Sequence, residues 1–199
     1  MIFILQILFL AVTYFICAIP FGFVITRIFL KQDIRDSGSG NIGATNVTRV
    51  GGKKLGVVTL LLDGAKGALM VILGRFLFND VAHLHLFLVL VAIVAVLAHI
   101  YPIYLNFKGG KGVATALATL LALDPIVGFV SAIIWIACFL IFRISAISSL
   151  VAVFSSLIVA FYCDAPLSEI LLCIFLFVLI TIRHKENIAR ILAGQEKKM

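Results

Sequence analysis

Phe107-Lys108-Gly109-Gly110-Lys111-Gly112-Val113-Ala114-Thr115 is a doubly basic glycine turn that runs straight into an apolar stretch reading as helix. Glycines let a backbone approach a ligand with its N–H groups exposed. A helix N-terminus adds a positive dipole end, and two lysines add mobile charge. The chemistry these residues suit is anion binding, phosphate above all. The turn lacks the G-x-x-x-x-G-K-[ST] spacing of a nucleotide loop, so an anion held without Mg²⁺ fits better than a nucleotide. A second polar constellation is Ser37-Gly38-Ser39-Gly40-Asn41-Ile42-Gly43-Ala44-Thr45-Asn46, followed by Arg49 and Gly51-Gly52. It offers backbone N–H groups, amides and hydroxyls together, and Arg49 can clamp phosphate oxygens in a fork. The third is Arg183 to Glu196, in which a helix would place His184, Asn187, Ile188 and Ile191 on one face.

Each constellation also has a plainer reading: a flexible polar linker, a tight turn with snorkelling lysines, a solvated amphipathic tail. Two amides and an arginine at close spacing (Asn41, Asn46, Arg49) are more than a linker needs. Asp63 and Lys66 lie three residues apart in an apolar run. They are either a structural pair that neutralises itself or a functional site inside the membrane. No nucleophile is specified. There is no G-x-S-x-G or H-E-x-x-H motif, and no His with an Asp five positions on. A reaction here relies on a pre-activated substrate, with the chain supplying position and charge stabilisation. The four cysteines (Cys17, Cys138, Cys163, Cys173) are widely spaced in or beside apolar runs and read as membrane-core residues, so no metal and no cofactor is expected.

The elements that must position these groups are membrane spans. Hydrophobic residues form 63% of the chain and charged residues 13%, which excludes an ordinary soluble domain. The apolar runs are Ile2–Ile25, Gly56–Phe78, Leu84–Leu105, Gly112–Leu123, Ile126–Phe142, Ala146–Tyr162 and Leu167–Ile182. The first has no basic stretch before it and reads as a span, not a cleaved signal. Fourteen of the sixteen Lys and Arg fall on alternate connections: Arg27 to Lys54, Lys108 and Lys111, Arg143, and Arg183 to Lys198. The connections between carry Asn79-Asp80, Asp124-Pro125 and Asp164 to Glu169, with no Lys or Arg. The positive-inside rule then places the N-terminus outside and the C-terminus in the cytoplasm. Gly112–Leu123 is too short to cross ~30 Å as a straight helix. Merging it with its neighbour would destroy the charge asymmetry, so we count seven segments with the fourth short, its irregular start lining a polar cavity. The expectation is an all-α integral membrane protein, one transmembrane domain over residues 1–199, with cytoplasmic motif loops at 31–54, 106–112 and 183–196. The net charge of +7 is explained by topology and is no sign of nucleic-acid binding.

Taken together the motifs resemble one family, the bacterial acyl-phosphate-dependent glycerol-3-phosphate acyltransferases (the PlsY family). The resemblance rests on Gly38-Ser39-Gly40-Asn41-Ile42-Gly43-Ala44-Thr45-Asn46 with Arg49, on His99-x-x-Pro102 through Thr115, and on His184-x-x-Asn187-Ile188-x-Arg190 through Gly194-x-Glu196. Asp63-x-x-Lys66-Gly67 is a weaker fourth match. Arg143-Ile144-Ser145-Ala146-Ile147-Ser148-Ser149 departs from the pattern, and the family's serine is not placed among Ser145, Ser148 and Ser149.

The resemblance implies transfer of a fatty acyl group from acyl phosphate to the 1-hydroxyl of glycerol 3-phosphate, giving lysophosphatidic acid and phosphate; with no nucleophile specified and the donor already activated, direct transfer without an acyl-enzyme is expected. It implies catalytic roles for Ser39, Arg49, His184 and Asn187. Substrate or phosphate contacts would come from Gly40, Asn41, Gly43, Thr45, Asn46, Lys108, Gly109, Gly110, Lys111 and Gly112. The base is either His184 or the glycerol 3-phosphate phosphate itself. Expected partners are the two substrates, the lipid bilayer and an encounter with the soluble enzyme that makes acyl phosphate. The expected location is the bacterial cytoplasmic (inner) membrane, with the site facing the cytoplasm. The alternative from another class is a transporter of an anionic phosphate ester, which shares a broken helix and a basic cavity.

Overall fold

A computed structural model describes residues 1–199 as nine α-helices with no strand. They are α1 (Ile2–Cys17), α2 (Phe21–Phe29), α3 (Ala44–Leu77), α4 (Leu84–Ile100), α5 (Val113–Leu123), α6 (Pro125–Phe142), α7 (Ser145–Tyr162), α8 (Leu167–Arg183) and α9 (Lys185–Leu192). Five stretches are long and apolar enough to cross a bilayer: Ile2–Phe29, Ala44–Leu77, Leu84–Leu105, Pro125–Phe142 and Ser145–Tyr162. A sixth is α8 with α9, bent by 63° at their junction. The short apolar helix is α5; its 11 residues reach only about 16 Å.

Two boundaries differ from expectation. The first apolar run is broken: α1 stops at Cys17, and Pro20 stands at the N-terminal cap of α2. Proline cannot donate to the ladder, so the chain restarts there. The expected loop 31–54 is helical from Ala44 onward, because α3 extends well before the apolar run. It absorbs the change from polar to apolar at Gly52, whose φ of +84° kinks the helix.

The packing centre is α4, where Val91, Ala92, Ala95, Val96 and Ala98 are fully buried. Against it lie α1, α3, α5 and α8, while α6 and α7 form an antiparallel pair beside α5 and α8. Large apolar residues such as Phe76, Phe129 and Leu140 stay exposed on the outer faces, as lipid-facing positions do. The ends of α5 are handled explicitly. Arg75 donates Nη2 to the carbonyls of Ala122 (3.1 Å) and Leu123 (2.7 Å). Those carbonyls have no partner within the helix, and a cation suits the negative dipole end. One residue on, the Asp124 carboxylate accepts from the N–H groups of Ile126 and Val127 and Pro125 opens α6. Gly128 then lets α6 lie on α5: a Cβ there would stand 2.1 Å from the Leu121 nitrogen. These contacts fix the C-terminal end of the short helix against α3 and α6, while its N-terminus carries no side-chain cap.

Candidate active site

A cavity of about 540 Å³ opens at the end of the bundle where the three polar segments meet. Its polar mouth is lined by Ser39, Asn41, Gly43, Thr45, Asn46 and Arg49 from the first segment, Lys111 and Gly112 from the second, and His184, Asn187 and Glu196 from the third. Its body is apolar, with Leu60, Leu61, Leu117, Leu121, Trp135 and Ile136 among the lining side chains.

The first segment is shaped by Asn46. Its Oδ1 accepts from the Ser39 N–H at 2.8 Å, and its Nδ2 donates to the carbonyls of Ser37 (2.9 Å), Asn41 (2.9 Å) and Ile34 (3.3 Å). The side chain is 1% exposed and its amide hydrogens are spent on the loop. Asn46, expected as a substrate contact, lines the cavity and at the same time pins the loop that presents Ser39. Gly40 takes φ +71° and lies outside the cavity wall, so its part is the turn. Asn41 accepts from the Gly43 N–H at 2.8 Å, leaving its amide hydrogens available. Thr45 Oγ1 shares a 2.9 Å hydrogen bond with Ser145 Oγ, which ties α3 to the start of α7.

The glycine turn departs further from expectation. The N–H of Gly109 donates to the Ile100 carbonyl at 3.0 Å and that of Gly110 to the His99 carbonyl at 3.1 Å. Neither N–H is left for a phosphate, and Lys108, Gly109 and Gly110 all lie outside the cavity wall. Small size is what this turn requires of its glycines. A Cβ on Gly109 would stand 2.2 Å from the His99 carbonyl oxygen, and one on Gly110 2.1 Å from His99 Nε2. The donors for an anion come one step later. Gly112 takes φ +87° to start α5, no side chain caps that helix, and Gly112, Val113 and Ala114 line the cavity. Its first-turn N–H groups remain for a ligand.

The third segment brings a histidine, an amide and a carboxylate to the cavity. His184, at the α8–α9 bend, donates Nδ1–H to the Ile180 carbonyl at 2.8 Å, since a carbonyl can only accept. Nε2 therefore carries the lone pair of the neutral ring. Burial and the neighbouring Lys111 charge push this imidazole down to about 4, against the opposing effect of the Ile180 bond. It is neutral at pH 7 and its Nε2 can take a proton. Lys111 donates to Asn187 Oδ1, and Asn187 Nδ2 donates 2.8 Å to the Glu196 carboxylate, which also accepts from Arg190 Nε at 2.7 Å. Burial would raise the Glu196 carboxyl, but the bonds from Arg190 and Asn187 outweigh it and keep it ionised. Burial draws Lys111 down to about 8, partly offset by Glu196. Both carboxylates of the wall, Asp63 and Glu196, are engaged by cations of their own (Lys66 and Arg190). Arg49 and Lys111 remain as the charge offered to an anion; Arg49 Nη2 meets the Lys197 carbonyl at 3.1 Å.

Residues 7–194 match the family described as Glycerol-3-phosphate acyltransferase. The chain belongs to the glycerol-3-phosphate acyltransferase family. Among its relatives, the glycerol-3-phosphate acyltransferase of Anaeromyxobacter sp. (strain Fw109-5) is 41% identical over 197 residues, covering 98% of this chain and 97% of that one. The one from Caulobacter vibrioides (strain NA1000 / CB15N) is 45% identical over 186 residues, covering 94% and 84%. Among solved structures, the crystal structure of PlsY (YgiH), an integral membrane glycerol 3-phosphate acyltransferase, superposes in its glycerol 3-phosphate form with a TM-score of 0.91 at 36% identity, covering 98% of this chain and 95% of that one. Its lysophosphatidic acid form gives 0.87.

Four residues that the sequence analysis named without giving them a place in the site also line the cavity of this acyltransferase: Asp63, His99, Ser145 and Glu196. The His99 and Glu196 motifs were visible, but nothing in their spacing said they would face inward. Ser145 opens α7, where a helix start beside the α3 hydroxyl of Thr45 is a tertiary fact with no sequence signal.

Proposed function

We propose that this acyltransferase moves a fatty acyl group from acyl phosphate to the 1-hydroxyl of glycerol 3-phosphate, by direct transfer with no acyl-enzyme. The carrying observation is a single cavity with a cationic, donor-rich mouth and an apolar body, the shape of an amphiphile with an anionic head. The relatives' names and the glycerol 3-phosphate and lysophosphatidic acid forms of the solved neighbour support the acceptor and the product. The acyl tail lies along α3, α5 and α6. The two phosphates share Arg49, Lys111 and the first-turn N–H groups of α5, which offset the repulsion between anions held side by side. Ser39 and Asn187 orient the acceptor. The attacking hydroxyl gives its proton either to His184 Nε2 or to the glycerol 3-phosphate phosphate, and phosphate leaves without need of a strong acid. Membership in an acyltransferase family removes the ground for the transporter alternative.

The arrangement in the membrane is part of the same proposal. Seven segments, with α5 the short one, place the N-terminus outside and the mouth of the cavity on the cytoplasmic side of the inner membrane. There the enzyme that makes acyl phosphate can deliver it. Purified protein with labelled glycerol 3-phosphate and either acyl phosphate or acyl-CoA tests the donor: product from acyl phosphate alone is expected, and product from acyl-CoA alone refutes it. Labelled acyl phosphate mixed with enzyme alone tests the direct route. A stoichiometric acyl-protein that glycerol 3-phosphate discharges would overturn it.

A further inference from the structure

Asp63 and His99 belong to none of the three polar segments, yet both stand in the cavity wall. They are 2% and 4% exposed. A charge this deep in a membrane helix is costly, so its neighbours must say what it is for. One neighbour is Lys66, whose Nζ donates 2.8 Å to Asp63 Oδ1 and 2.8 Å to the Ile19 carbonyl. That pair is neutral by itself and needs no place at the cavity.

The other neighbour is His99, the penultimate residue of α4. Its Nδ1 lies 3.5 Å from Asp63 Oδ1 and is buried with no hydrogen-bond partner. The His99 carbonyl accepts from the Gly110 N–H, and the ring lies directly under Gly110, where a Cβ would stand 2.1 Å from Nε2. The residue after Gly110 is Lys111. The same Asp63 reaches the far side of the turn, because its own carbonyl accepts from Thr115 Oγ1 at 2.8 Å. The turn that carries Lys111 is thus held from beneath by His99 and from behind by Thr115, and both supports lead to Asp63.

We propose that Asp63 is a positioning residue that acts through His99: the carboxylate orients the imidazole, the imidazole sets the height of the Gly110–Lys111 turn, and Lys111 is thereby placed for the phosphate of glycerol 3-phosphate. This rests on the assignment of Lys111 to that phosphate. If Asp63 were only the counter-ion of Lys66, removing both charges together would leave the site intact, since buried ion pairs are often replaceable by apolar residues.

The experiment compares Asp63→Leu/Lys66→Leu, His99→Leu and His99→Asn with the parent enzyme in detergent. It measures melting temperature, calorimetric affinity for glycerol 3-phosphate, and KM against kcat with acyl phosphate as donor. The double variant is expected to melt within a few degrees of the parent while losing at least tenfold in glycerol 3-phosphate affinity, with KM rising more than kcat falls. His99→Leu should show the same loss. His99→Asn, whose amide N–H reaches the place of Nδ1, should recover most of it. Parent-like affinity in the double variant would overturn the proposal. Should the double variant not fold, parent-like affinity in His99→Leu, or equal losses in His99→Leu and His99→Asn, would overturn it instead. Failure of the donor assignment is separable: the parent would bind glycerol 3-phosphate yet transfer nothing from acyl phosphate, and the affinities would still decide the role of Asp63.

Discussion

At the scale of the residue, two side chains tie the rate to pH. Lys111 is drawn down to about 8 chiefly by burial. Its charge is present below that value and lost above it, so glycerol 3-phosphate binding is expected to weaken as pH rises past about 8, seen as a rising KM. His184 sits at about 4. If its Nε2 is the base, kcat/KM falls only as pH drops toward 4. If the substrate phosphate is the base, the fall centres on that group's second pKa, about 6. A pH profile of kcat/KM distinguishes them, and a limb near 6 would remove His184 from the role. Arg49→Lys keeps the charge and loses the planar fork, and a loss on the order of 100-fold in kcat/KM is expected. If the lysine variant works as well as the parent, the contact is only electrostatic. Much of this chemistry was legible in the sequence because Arg, His and Gly carry their chemistry in their type. What was not legible was direction. Asn46 looked like a ligand donor and spends its amide on the loop. Gly109 and Gly110 looked like exposed N–H groups and are exhausted by carbonyls of α4. Hydrogen-bond partners distant in the chain decide such cases, and residue type cannot.

At the scale of the element, the glycine turn and α5 act as one part. The turn needs glycine for space and α5 supplies the donors, so a Cβ should act on packing first. Gly109→Ala places a carbon 2.2 Å from main-chain oxygen that cannot easily yield. A destabilisation of about 1–3 kcal/mol is expected, of the kind overpacking produces, visible as a lower melting temperature in detergent. Gly52→Ala is the control. It has open space around it but φ of +84° with ψ of 169°, so only the backbone term of roughly 1–3 kcal/mol should appear, with glycerol 3-phosphate affinity unchanged. Equal melting of Gly109→Ala and the parent would refute the packing account. The helices themselves were readable from apolar runs, and so was the shortness of α5. The break at Pro20 and the early start of α3 were not. The first lies inside an unbroken apolar run, and the second inside a glycine- and polar-rich stretch that reads as loop until tertiary contacts make it helix.

At the scale of the whole molecule, the decisive property is sidedness. The three polar segments converge at one end of the bundle, and the connections without Lys or Arg lie on the others in alternation. The proposed supply of acyl phosphate from the cytoplasm requires the lysine-rich end to face that side. The native cysteines provide a built-in reporter. Cys163, in the connection between α7 and α8, is exposed, whereas Cys17 and Cys173 are buried and Cys138 is half-buried within α6. In intact cells with the outer barrier permeabilised, a membrane-impermeant maleimide is expected to label the parent protein at Cys163. Cys163→Ser should abolish that signal. Restoring a single cysteine at Lys53 or at Lys185, both exposed at the cavity end, should leave whole cells unlabelled and become reactive only after lysis. The buried cysteines cannot mimic this pattern, because a charged reagent does not enter the bundle core. Labelling at 53 or 185 from outside, with Cys163 protected until lysis, would invert the molecule. It would also separate the cavity from any cytoplasmic supply of acyl phosphate, so the topology and the proposed donor stand together on that one measurement.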